Sequence, residues 1–260
     1  MIDGVNAVVL AGDGGFQDPS APAGELAGKA LLPIGSRFMV DYVVTALKNC
    51  AEVRKIVLVG PEALYPFYGE ESGLLFAAPG SSPLESFAAG VAALDEENET
   101  PWVLACTGDV PFLTPAAVAD FLDRCREREA GLYYPIIPRE VAEKRFPGVK
   151  RTYARLREGT FTGGNLFLLD RRILQSCLPK AEEFVRLRKN PAALARLVGF
   201  EILGKYLFGI LSVKEIERRV SELFGVQGAA VISHYPEIGV DVDKPADLAL
   251  ARNLLAPSET

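Results

Sequence analysis

Asn6-Ala7-Val8-Val9-Leu10-Ala11-Gly12-Asp13-Gly14-Gly15 is an apolar run that empties into glycines, and Lys29-Ala30-Leu31-Leu32-Pro33-Ile34-Gly35 follows after a gap. The run does not alternate with polar residues, so it reads as a strand buried on both faces, the habit of a parallel sheet. Glycines after such a strand let backbone N–H groups approach anionic oxygens with no Cβ in the way. Lys29 adds a point charge that can follow a transferring phosphoryl group. The spacing matches neither G-x-x-x-x-G-K-[ST] nor a G-x-G-x-x-G that opens a helix.

The same grammar continues outward. Residues 55–59, 74–77 and 102–107 read as further two-sided strands. Between them, Val40, Val43, Val44 and Leu47 recur at i, i+3, i+4 and i+7, and the spacing predicts helices over 40–47, 84–94 and 118–125. Strand–helix–strand alternation predicts a three-layer α/β/α sandwich around a mostly parallel sheet. Ligands of such sheets sit at the carboxyl ends of the strands, where both the glycine loop after Leu10 and the Gly108-Asp109 pair would fall.

The second half differs. Residues 131–137 and 160–169 read as longer strands joined by a basic segment, 139–157. Residues 181–224 read as mostly helical, with Ser212-Val213-Lys214-Glu215 as a capping box. One more strand is expected at 229–233 and a closing helix at 245–255. No repeat or linker interrupts the chain, so a single domain over 1–260 is expected, with a helical elaboration at about 180–226. That elaboration can shape an acceptor pocket, form a lid or make a dimer interface.

Composition narrows the class. An apolar fraction of 49% supplies a full core, and a net charge of −6 argues against general nucleic-acid binding. Cys50, Cys106, Cys125 and Cys177 have no C-x-x-C spacing and read as buried, reduced thiols. The single histidine, His234, leaves no room for a His-rich metal site. No apolar stretch approaches the ~20 residues of a bilayer span, and Asp3 with no preceding Lys or Arg is unlike a secretory signal. The expectation is a cytoplasmic protein without membrane or nucleic-acid partners; a homodimer is compatible with it.

Leu10-Ala11-Gly12, Gly14-Gly15, Lys29 and Leu32-Pro33-Ile34-Gly35 together resemble the N-terminal signature of the GT-A-like nucleotidyltransferases, a superfamily that includes molybdenum-cofactor guanylyltransferase and the cytidylyltransferases. Phe16 and Gln17 stand where that signature carries an Arg, and no Arg occurs before Arg37. Asp13 adds a negative charge to the loop. The resemblance implies that Leu10, Ala11, Gly12, Gly14, Gly15 and Lys29 bind the nucleotide phosphates, with Lys29 catalytic. It also implies that Gly80, Ser81 and Ser86, at the start of the third helix, read the base. A plainer account of that segment is a helix cap, with Ser82, Pro83 at N1 and Glu85 as a capping box.

Asp109 closes a strand within Gly108-Asp109-Val110-Pro111-Phe112-Leu113, a setting suited to a divalent cation, since Mg²⁺ favours one or two carboxylates plus substrate phosphates. The resemblance makes it a metal ligand; an Asx turn would account for it structurally. The second ligand implied is Asp243, in Asp241-Val242-Asp243-Lys244-Pro245, with Asp241 the lesser alternative and helix N-capping the structural account. Gly164 and Asn165, in Thr162-Gly163-Gly164-Asn165, are implied on the acceptor side. Lys144, Arg145, Lys150, Arg151, Arg155 and Arg157 form a basic cluster, either a solvated face or a phosphate site.

The resulting expectation is an Mg²⁺- or Mn²⁺-dependent nucleotidyltransferase that moves a nucleoside monophosphate from an NTP to a phosphorylated or hydroxyl small-molecule acceptor and releases pyrophosphate. The alternatives are a GT-A glycosyltransferase using a sugar nucleotide, and a non-catalytic nucleotide-binding protein.

Overall fold

A computed structural model of the protein describes residues 2–12, 28–68, 73–94, 100–187 and 196–255. Its frame, among those residues, is a nine-stranded sheet. Strands β1 (Val5–Leu10), β2 (Pro33–Ile34), β3 (Arg37–Phe38), β4 (Val53–Val59), β5 (Leu74–Ala77) and β6 (Trp102–Thr107) come from the first half. Strands β7 (Leu132–Pro138), β8 (Ala154–Leu156), β9 (Gly159–Gly163), β10 (Leu166–Asp170) and β11 (Gly228–Ile232) come from the second. The order is β5-β4-β1-β6-β10-β7-β9-β8, with β11 also paired to β7, and β2 pairs with β3 as a separate hairpin. Strands β1, β4, β5 and β6 run parallel to one another, as does β11 to β7, whereas β10 runs antiparallel to both β6 and β7, and β9 to both β7 and β8. The sheet is therefore mostly parallel and covered on both faces, as its two-sided apolar strands require.

Helices α1 (Met39–Lys48) and α3 (Pro115–Arg126) cover one face, and α2 (Pro83–Ala92) and α5 (Leu174–Leu187) the other. Phe121 and Leu47 fill the first layer, and Phe87 meets Phe167 with ring centroids 5.0 Å apart in the second. Fully burying each such side chain contributes roughly 1.5–3 kcal/mol. Gly90 lets α2 settle on the sheet: a Cβ there would lie 2.5 Å from Val8 Cγ1. Thr114 caps α3 through its side-chain oxygen, with Pro115 at the first helical position.

Two expected elements take another form. The strand expected over 160–169 is broken into β9 and β10, because Asn165 N–H leaves the ladder for Ile238 O and the register against β7 shifts between Gly163↔Ile136 and Leu168↔Tyr133. The box expected at Ser82 is incomplete: Glu85 N–H donates to Ser82 Oγ at 3.1 Å, but the Glu85 carboxylate accepts from Ser81 N–H and Oγ. The box at Ser212 is complete and starts α7 (Val213–Phe224), which follows α4 (Arg139–Arg145) and α6 (Phe200–Leu207). Gly225, at φ 68°, ends it in the left-handed conformation that glycine adopts without strain. The closing helix α8 (Pro245–Leu255) packs Leu248 and Ala251 into one cluster with Ile34 and Met39, so the residues just before it return to the carboxyl edge of the sheet.

Candidate functional site

The site forms where β1 and β6 end together. Leu10 pairs with Thr107, and Gly108 N–H donates to Leu10 O at 2.9 Å. A Cβ at Gly108 would lie 3.2 Å from that carbonyl and 3.3 Å from Ala11 Cα, so any side chain there would press on β1. Asp109 follows. Its own carbonyl accepts from Val242 N–H at 2.9 Å, which stitches the 240–243 segment to the end of β6. Val240 and Val242 are buried on one side of that segment. Alternation in an extended chain turns Asp241 and Asp243 to the other side.

Asp109, Asp241 and Asp243 consequently converge, each offering one oxygen within 4.8 Å of the others. Lys29 Nζ enters from the first loop and donates to Asp109 Oδ2 at 2.5 Å and to Asp243 Oδ1 at 2.7 Å. Lys29 is buried, only 5% exposed, in contrast to a loop lysine on the surface. Burial alone would lower its pKa, but the two carboxylates outweigh that and hold it above the usual lysine value. Asp243 is opposed by burial too, yet Lys29 keeps its carboxyl below the usual range. Asp241 takes the opposite course: burial first, then the hydrogen bond and charge of Asp243, push it up to about 6.

Two expectations are corrected by this geometry. Asp243 is not the acceptor that caps α8; the Asp247 carboxylate accepts from Asp243 N–H at 3.1 Å and Lys244 N–H at 2.9 Å, leaving Asp243 for Lys29. The basic cluster is also dispersed. Arg151 turns inward, donating from Nη1 to Asp241 Oδ1, from Nε to Thr162 Oγ1 and from Nη2 to Gly163 O, each at 3.2 Å. Arg145 pairs with Glu237 at 3.2 Å. Asp241 and Arg151 thus belong to the site more fully than the sequence indicates. Val-Asp-Val-Asp is the available signal for Asp241, because its period of two puts both acids on one side; no local pattern announces Arg151.

Beside the ends of β1 and β6 lies a cavity of about 150 Å³ lined by Leu10, Thr107, Tyr134, Gly164, Asn165 and Phe167, among others. Asn165 is fixed through its backbone: its N–H donates to Ile238 O at 2.7 Å, and its carbonyl accepts from Thr107 N–H at 3.3 Å. Gly164 N–H donates to Pro135 O at 3.0 Å, and a Cβ there would lie 2.9 Å from Pro135 Cγ. Three buried polar atoms at this corner have no partner among the described residues: Asp109 Oδ1, Thr107 Oγ1 and Asn165 Nδ2. Buried polar atoms cost free energy unless they are satisfied, so such a group at a cleft is suited to a ligand. For a divalent cation the fit is good: an all-oxygen donor set on three acids, one carrying an orphaned buried oxygen.

The remaining expected residues are partly engaged. Ala11 and Gly12 follow β1 at the same edge, whereas Asp13, Gly14 and Gly15 lie outside the described residues. Gly80 N–H donates to Ser86 Oγ at 3.0 Å, and Ser86 Oγ in turn donates to Ser82 O at 2.9 Å. Gly80, Ser81 and Ser86 therefore build the start of α2, a few residues after the end of β5. Among the described residues, no helix is long and apolar enough to cross a membrane.

A mixed sheet with helices on both faces and acids at its carboxyl edge defines a nucleotide-diphospho-sugar transferase-like protein. The family model of the MobA-like NTP transferase domain matches residues 7–197, and the chain belongs to that family. It is similar to a structure from Thermus thermophilus described as a hypothetical transferase, at 43% identity over 94% of this chain and 99% of the other, with a TM-score of 0.81. Two further structures share the fold. A CMP:2-keto-3-deoxy-manno-octonic acid synthetase complexed with CTP is 15% identical over 96% of this chain and 98% of its own, with a TM-score of 0.60. A 2-C-methyl-D-erythritol 4-phosphate cytidylyltransferase, also from Thermus thermophilus, is 17% identical over the same shares, with a TM-score of 0.53. No curated protein matches the chain.

Proposed function

We propose that the protein is a nucleotidyltransferase that moves a nucleoside monophosphate from an NTP to a small-molecule acceptor bearing a phosphate or hydroxyl. The observation that carries this reading is the buried Lys29 ammonium held between Asp109 and Asp243 at the mouth of the sheet. In the reaction an acceptor phosphate oxygen, or a hydroxyl oxygen that gives up its proton to water, attacks the α-phosphorus in line, the bond from that phosphorus to the bridging oxygen breaks, and pyrophosphate leaves. Such chemistry needs positioning and charge stabilisation rather than a protein nucleophile.

Each residue then has a role. Gly12, Gly14 and Gly15 are assigned to the nucleotide phosphates, whereas the Ala11 N–H is taken by Val59 O at 2.7 Å. Lys29 swings its charge from the carboxylates to the α- and β-phosphates, where negative charge builds as the bond breaks. Asp109, Asp241 and Asp243 would hold a divalent cation, Mg²⁺ or Mn²⁺; when bound, it supplies charge neutralisation to the phosphate oxygens. Gly80, Ser81 and Ser86 lie at the base side. Asn165, fixed by its backbone at Gly164, orients the acceptor with its free amide.

The test is pyrophosphate release and thermal stabilisation with ATP, GTP, CTP and UTP, each with and without Mg²⁺, on wild type and Asp109→Ala. A ligand at a hundred times its Kd adds ~2.7 kcal/mol to stability. The expected result is one preferred NTP whose effect needs Mg²⁺ and vanishes in Asp109→Ala. No stabilisation by any NTP, with hydrolysis of a sugar nucleotide instead, would replace this reading with a glycosyltransferase.

A further inference from the structure

Helix α6 lies beyond residue 197, where the match to the family ends, and it is amphipathic in an unusual direction. Ile202 points inward, packing with Val213 and Ile216 on Leu156, Phe161 and Leu211. The next arc of the helix carries Tyr206, Leu203, Leu207 and Phe200, and it faces out. Leu207 is 73% exposed and Phe200 68%, and the chain beyond adds Phe208 at 82% and Ile210 at 57%. At the ~200 Å² that a large side chain presents in full, these residues leave on the order of 600 Å² of apolar surface in the open. The largest apolar patch of an ordinary monomer is about 300–600 Å², and a stable interface buries about 800 Å² on each partner. The patch is at the top of the first range and supplies most of the second.

Gly204 sits at the edge of the same arc. A Cβ built on it meets no atom within 4 Å. Glycine weakens a helix interior, and among the described residues nothing packs closely enough on Gly204 to require one. Close approach of another chain's backbone would. Charge decides between occupants. Arg155 borders Gly209 and Arg219 borders Gly199, while Glu201 and Glu215 stand on the same rim, and such a mixed rim complements a copy of itself rather than a uniformly anionic lipid surface. Around the patch, Lys205 is held by Glu201 and Glu215, so both signs alternate and a copy of the same surface meets no uniform repulsion.

We infer that this face of α6 joins two copies of the chain in a homodimer, paired about a two-fold axis with Gly204 near the crossing. A two-fold contact needs only one self-complementary patch.

Sedimentation of the full chain across a concentration series tests the proposal, on wild type, on the double variant Leu207→Glu/Phe208→Glu, and on Gly204→Ala. The expected result is a wild-type dimer, a dissociation constant raised at least ~100-fold in the double variant, and one raised about tenfold in Gly204→Ala. Alanine favours the helix of a lone monomer, so weakening there reports the contact and not the fold. If the double variant fails to fold, Gly204→Ala decides alone. A wild type that stays monomeric from micromolar to millimolar overturns the proposal, as does a dimer that Gly204→Ala leaves unchanged. A monomer that floats with anionic vesicles would give the patch to lipid instead.

Discussion

Lys29 Nζ lies 2.5 Å from Asp109 Oδ2, which joins two residues eighty positions apart across the carboxyl edge of the sheet. With Asp243 at 2.7 Å on its other side, the ammonium offsets two of three converging carboxylates.

Replacing that ammonium should therefore do two separable things. In Lys29→Ala, Asp109 and Asp243 lose their ammonium while Asp241 keeps Arg151, and breaking the largely buried Lys29–Asp109 pair costs about 3 kcal/mol of stability. Urea denaturation should register this, and millimolar Mg²⁺ should restore most of it. Turnover should stay about 10²–10³-fold down even with the metal present, because the charge on the phosphates is not replaced. Full activity in Lys29→Ala would remove lysine from the proposed chemistry.

Arg151 holds Asp241 toward the other acids through a planar fork that also reaches Thr162 and Gly163. Groups that orient metal ligands typically matter 10–100-fold in metal affinity. In Arg151→Met the Mg²⁺ concentration for half-maximal turnover should rise by about that factor, with kcat at saturating metal nearly intact. Arg151→Lys should recover only part of it, since one ammonium cannot reproduce three directed bonds. An unchanged Mg²⁺ titration would make Arg151 a purely structural tie.

The corner at Gly164 and Asn165 separates geometry from contact. Asn165→Ala removes the free amide while keeping the backbone bonds to Ile238 and Thr107, so KM for the acceptor should rise with KM for the NTP unchanged. Gly164→Ala drives a methyl onto Pro135 and the Ile238 carbonyl, and should cost about 1–3 kcal/mol as an overpacked site does. Steady-state kinetics and thermal melts on the two variants check the pair; equal KM effects on both substrates would contradict the assignment.

Away from the site, the cap of α7 sets a pH dependence. Glu215 is held at about 2 by the Lys205 ammonium and by the Ser212 N–H and hydroxyl. Its folded pKa lies below the ordinary carboxylate value of 4.5, so its contribution is complete above that value and is lost as pH falls toward 2. Acid unfolding of wild type and Glu215→Gln should converge over that window and differ above it. Ser212→Ala should cost about 1 kcal/mol at neutral pH.

Much of this architecture can be read residue by residue. The runs at Leu74–Ala77 and Trp102–Thr107 are legible to their ends, because an unbroken apolar segment between turn residues has few alternatives. The closing helix Pro245–Leu255 is equally plain, with proline at its first position. The stretch from 160 to 169 is not, since nothing in Gly163-Gly164-Asn165 says that the Asn165 N–H goes to Ile238 O and that the register against β7 shifts there.

Local periodicity acts over about a turn of helix or a few strand residues, and within that reach it indicated the strands and helices of the first half and Asp109 at a strand mouth, but not α4, β8 or the β2–β3 hairpin. Which charged groups meet was beyond it. Lys29, Arg151, Asp241 and Asp243 are brought together by the pairing of β1 with β6 and the bond from Val242 to Asp109. That registry comes from packing across the whole sheet, so only the folded chain could reveal that an ammonium sits among the acids and that an arginine from a basic run points inward.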